Sequence, residues 1–128
     1  PEVTQAAIDT LKRYSKTIYL TQTIEKKDGK LTKYLNVDDA IADWEKNPGG
    51  KREWRTHIHV PVFLDDLGQF RTTRFAIADA LEFHKLKPLS RHLEVETYTW
   101  DMLPDSLKTG DIVEYVCREL EWVRGQLA

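Results

Sequence analysis

Strand-like and helix-like stretches alternate along the whole chain, and that alternation limits the available folds more than any other feature. Ala6, Ala7, Ile8, Leu11 and Tyr14 recur at helical spacing, which predicts an amphipathic helix over residues 4–15. Residues 17–24, rich in β-branched and aromatic side chains, read as a first strand. Residues 26–30 carry turn chemistry, because Asp28-Gly29 can adopt positive φ. Asn36 with Asp39 resembles a capping box and opens a second helix whose apolar stripe is Val37, Ala40, Ile41 and Trp44. Asn47-Pro48-Gly49-Gly50 ends it.

A second strand is expected over residues 54–63, with pairing ending near Pro61, which has no N–H for a ladder. Thr72 or Thr73 caps a third helix carrying Phe75, Ile77, Ala78 and Leu81, and Pro88 terminates it. Residues 93–99 form the expected third strand. Asp111 and Glu114 give another capping pattern before a helix with Val113, Val116, Cys117, Leu120, Val123 and Leu127 at period 3.6. The order α-β-α-β-α-β-α implies right-handed crossovers and a parallel sheet with helices outside. Three parallel strands alone leave two bare edges, so a larger sheet or barrel is expected to complete them.

A length of 128 residues suits one domain. With 41% hydrophobic and 31% charged residues, the composition is that of a folded chain. No apolar run is long enough to span a bilayer, and Pro1-Glu2-Val3 does not start a signal peptide; the expected location is cytoplasmic. A lone cysteine, Cys117, excludes an internal disulfide and a thiolate metal cage, and its apolar pattern predicts a small core residue. The net charge of -2 provides no global attraction to nucleic acid or anionic lipid. Lys26, Lys27 and Lys30 beside Asp28 and Gly29 read as a solvated turn. The chain begins at Pro1 without methionine, as methionine removal, truncation or proteolysis would leave it.

In parallel α/β folds, functional groups gather at the C-terminal ends of strands. That rule selects Gln22 and Glu25 on the first strand, His57 and His59 on the second, and Glu94, Glu96, Tyr98 and Trp100 on the third. His57 and His59 are two residues apart and share a strand face, as do Glu94, Glu96 and Tyr98. Imidazoles and carboxylates meeting at one sheet end would bind a divalent cation or act as acid and base; a buried structural His–Glu pair is the alternative. Arg71 and Arg74 flank a helix start, where free N–H groups favour an anion such as phosphate, or they are solvated beside an N-cap. Tyr98 and Trp100 would stack on a ring or sugar face, or pack beneath a loop.

At Thr56-His57-Ile58-His59-Val60-Pro61 and Leu93-Glu94-Val95-Glu96-Thr97-Tyr98-Thr99-Trp100, the chain resembles the EboE-like metabolite-traffic branch of the xylose-isomerase-like TIM barrels. Residues 18–25 and 70–74 agree with it. The resemblance implies a partial (β/α)₈ TIM barrel, in which residues 1–128 form the C-terminal portion with three parallel strands, six to eight, and four helices. It further implies His59 and Glu96 as catalytic residues and as ligands of a divalent metal (Mg, Mn, Co or Zn) in the complete barrel. On strand six, where the wider superfamily carries a metal-binding Asp, this chain has Thr21-Gln22. A strand-five ligand is not in the chain, so two ligands fall short of the usual three or more.

Three functions follow. One is a sugar or sugar-phosphate isomerase or epimerase, with Glu96 and His59 at the chemistry and His57, Glu94, Gln22, Tyr98, Trp100, Arg71 and Arg74 binding substrate. Another is a non-catalytic protein that holds a polyol or cyclitol during traffic. The third, an endonuclease IV-like nuclease, is disfavoured by the acidic balance. The expected partners are a small sugar, polyol or cyclitol, together with a second copy or the missing N-terminal part of the barrel.

Overall fold

Asp28 and Gly29 both adopt positive φ, 49° and 79°, and this two-residue reversal decides the topology of the first half of the chain. Two consecutive positive-φ residues match the twist of antiparallel strands. The chain therefore turns straight back on itself instead of crossing over through a helix. The structure is a computed structural model that describes residues 3–15, 19–96, 100, 108 and 110–128. It divides into two compact units, Pro1–Ile58 and His59–Ala128.

The first unit holds α1 (Gln5–Ser15), β1 (Thr23–Lys27), β2 (Lys30–Tyr34), α2 (Val37–Lys46) and β3 (Arg52–Thr56). Its strands form one open sheet in the order β2-β1-β3. Both pairings are antiparallel, with Thr23 opposite Tyr34 on one side and opposite Thr56 on the other. This overturns the expected parallel strands of a TIM barrel. The lysine-rich stretch assigned to a turn supplies strand residues on both sides of Asp28-Gly29: Lys26 and Lys27 end β1, and Lys30 begins β2. The second expected strand is also shorter than predicted, because it ends at Thr56 and residues 57–61 run without regular structure.

The helices follow their sequence patterns more closely. Thr4 Oγ1 accepts the N–H of Ala7 at 3.2 Å and caps α1, which buries Ala7, Ile8 and Leu11. Asp39 Oδ2 reaches back to the Asn36 N–H at 3.2 Å, the reciprocal half of the capping arrangement. Val37, Ala40, Ile41 and Trp44 are all buried, the i, i+3, i+4, i+7 stripe of an amphipathic helix. This stripe lies between α1 and the β1–β2 hairpin. Burying Ile8 or Val37 completely contributes about 1.5–3 kcal/mol each.

The second unit contains α3 (Arg74–Leu86) and α4 (Ile112–Leu127), which pack on each other. Asp111 Oδ1 accepts the Glu114 N–H at 2.9 Å and caps α4. Its buried residues are Tyr115 and Glu119, while Cys117, Val113 and Leu120 are exposed. Of the stripe read from the sequence, with Cys117 expected in the core, Val113, Cys117 and Leu120 are thus turned outward, while Val116, Val123 and Leu127 are half-buried. Larger aromatic groups take the inward face: the Tyr115 ring meets Phe63 at 5.6 Å and Trp100 at 4.5 Å, both edge-on. Residues 93–96 of the expected third strand have no strand structure, and residues 97–99 lie outside the described residues.

Candidate functional site

The antiparallel register that replaces the expected parallel one brings two of the candidate residues together. Because Thr23 faces Thr56, the next residues outward, Gln22 and His57, also face each other. The His57 N–H donates to the Gln22 carbonyl at 2.8 Å, extending the ladder by one step. Their side chains meet as well, with His57 Nδ1 and Gln22 Oε1 3.1 Å apart and exposed. Alternation along the strands puts this pair on the same open face as Ile24 and Arg55.

Beneath it runs a row of threonines. Thr23 Oγ1 lies 3.0 Å from Thr56 Oγ1 and 3.1 Å from the Thr21 carbonyl. Thr21 Oγ1 accepts the Val37 N–H at 3.0 Å, so the first turn of α2 is tied to the entrance of β1. Gln22 and His57 therefore stand on a base that is fully hydrogen-bonded and buried at Thr21 and Thr23.

On the covered face, Glu25 and Arg52 form an ion pair at 3.3 Å with almost no exposure of either side chain. Trp54 Nε1 donates to the same carboxylate oxygen at 2.8 Å. Arg52 also donates from Nε to the Gly49 carbonyl at 3.0 Å and from Nη2 to the Asn47 carbonyl. Its guanidinium thus joins β1 to the end of α2. Nearby, Tyr34 donates to Asp43 Oδ2 at 2.9 Å. Burial, reinforced by that hydrogen bond to Asp43, pushes the Tyr34 hydroxyl up to about 12. Sequence reasoning placed Glu25 at a strand end but missed Arg52 and Trp54. The available signal was the Thr23-x-Glu25 alternation, which puts a carboxylate on the face that also carries a buried threonine.

The remaining candidates fall in the second unit. His59 is half-buried just beyond the unit boundary, and Glu94 and Glu96 are exposed on irregular backbone. His57 and His59, expected on one face of one strand, both lie beyond the end of β3. Tyr98 lies outside the described residues. Trp100 packs against Tyr115. Arg71 pairs with Asp65 at 2.7 Å. Arg74 donates to the Phe63 carbonyl at 2.9 Å and lies over the Trp122 ring at 5.8 Å. Both arginines thus close the loop that leads into α3. Glu119, buried one turn after Tyr115, accepts the Val62 N–H at 3.0 Å, and burial beside Glu119 raises the Tyr115 hydroxyl well above its ordinary range.

Among the described residues, no group of three or more His, Cys, Asp or Glu could hold a metal ion. No described helix is long and apolar enough to cross a membrane. No family model, curated protein or solved structure matches the chain.

Proposed function

We propose that the chain binds a small polyhydroxylated metabolite, a sugar, polyol or cyclitol, on the open face of its sheet through Gln22 and His57, without turning it over. The observation that carries this reading is the 3.1 Å contact between the two exposed side chains. A carboxamide and an imidazole together offer donors and acceptors in close register, the complement of neighbouring hydroxyl groups. The backbone bond between the same two residues and the threonine row beneath them fix the pair before a ligand arrives, which lowers the ordering cost of binding.

Calorimetric titration with a panel of sugars, polyols and cyclitols tests this. One or more should bind, and Gln22→Ala or His57→Ala should weaken binding by about five- to tenfold, as expected for one hydrogen bond of about 1 kcal/mol. If no member of the panel binds, the proposal fails. Conversion of the sugar to an isomer or epimer during the same incubations would replace it with the enzymatic reading, in which Glu96 and His59 are the residues to substitute next.

A further inference from the structure

β2 is a terminal strand of the sheet, and an uncovered strand edge is a template for another strand. Its neighbourhood is strongly basic. Residues 26–33 hold Lys26, Lys27, Lys30 and Lys33 against a single acid, Asp28. On the open face, Lys33 and Leu31 of β2 stand beside Ile24 and Lys26 of β1. Leu31 is 61% exposed.

The second unit contains the opposite pattern. Leu93-Glu94-Val95-Glu96 alternates apolar and acidic residues, the period-two pattern of a strand, yet it has no strand structure. Leu93, Glu94 and Glu96 are exposed. Residues 1–58 contain eleven Lys and Arg against nine Asp and Glu, net +2, whereas residues 59–128 contain eight against twelve, net -4.

We propose that two copies of the chain associate by strand addition, the Leu93–Glu96 segment of each docking on the β2 edge of the other. Once the segment is extended, Glu94 and Glu96 fall on one face and Leu93 and Val95 on the opposite one. The two carboxylates then lie on the open face beside Lys33 of the adjacent strand β2, with Lys26 one strand further in, opposite Leu31. The apolar pair lies on the side of Thr32 and Tyr34. Each copy contributes one edge and one segment, and in the proposed dimer the exchange is reciprocal about a two-fold axis.

Light scattering on the 128-residue chain at rising protein concentration should show a monomer–dimer equilibrium that shifts toward monomer with added salt, since these charges are exposed. Glu94→Lys with Glu96→Lys should weaken the dimer at least tenfold, and Lys26→Glu with Lys33→Glu should do the same. Mixing the two variants should restore a dimer, because every reversed segment then meets a reversed edge. Circular dichroism establishes that each variant is folded. If the edge variant does not fold, the Glu94→Lys, Glu96→Lys variant decides alone, as it alters exposed positions outside any strand. A monomer at all concentrations, a dimer indifferent to these reversals, or a mixture of folded variants that stays monomeric would each overturn the proposal.

Discussion

Glu25 Oε2 and Arg52 Nη1 lie 3.3 Å apart, and both side chains are buried in the first unit. Removing one partner leaves a charge in a place built for two. Arg52→Met should therefore destabilise the chain by about 3–5 kcal/mol, the usual consequence of breaking a buried pair. Replacing both residues, as in Glu25→Gln with Arg52→Met, should cost less than the arginine change alone, because no unpaired carboxylate remains. Urea denaturation of the two variants checks the order.

The hairpin rests on two consecutive positive-φ residues, and Gly29 has open space where a Cβ would stand. Conformation alone sets the penalty there. Gly29→Ala should cost about 1–2 kcal/mol, the left-handed penalty of an L-residue. Asp28→Asn should be nearly neutral, since Asn tolerates that region. Thermal denaturation of both variants separates the conformational cost from any change in charge.

Which parts of this were legible beforehand follows from what each element needs. The helices α1 and α2 were readable because their buried residues are apolar at helical spacing, and α2 also because Asn36 and Asp39 stand at a capping-box offset. The sheet was not, because its covered face carries Thr23, Glu25 and Arg52 where hydrophobic alternation would be sought. A five-residue strand such as Lys30–Tyr34 with an open outer face then looks like a polar loop. In α4 the period was right and the phase was wrong, since Tyr115 fills the interior better than the smaller Cys117. Gln22 was expected at the C-terminal end of a first strand and His57 within a second, whereas Gln22 precedes β1 and His57 follows β3. Their partnership required an antiparallel register, which the parallel reading excluded.

Tyr34 provides a titration at alkaline pH. Its hydroxyl rises from 10.0 to about 12 in the folded chain, chiefly through burial and then through the bond to Asp43. A raised pKa means that the folded state holds the proton more tightly than the unfolded one. The associated stability is complete below pH 10 and is lost as the pH climbs toward about 12. Tyr34→Phe should be less stable than the parent at neutral pH and should lose less stability over that alkaline interval. Denaturation midpoints measured across the interval test the sign.

Tyr115 is only 1% exposed, and its hydroxyl has no hydrogen-bond partner among the described residues. Its ring contacts, by contrast, are extensive. Tyr115→Phe should therefore be neutral or mildly stabilising, because it removes an unsatisfied buried polar atom. Tyr115→Ala should cost about 3–5 kcal/mol, as for other buried aromatic side chains cut back to alanine. Chemical denaturation of the pair distinguishes packing from polarity.

The hydroxyl of Thr21 reaches sixteen residues along the chain to the N–H of Val37, bracketing the hairpin like a clasp. Residues 21–37 can then open to solvent only together at that point. Deuterium uptake at the Val37 amide will report the detachment of the hairpin from the helix that follows it, making one proton a gauge of the integrity of the first unit.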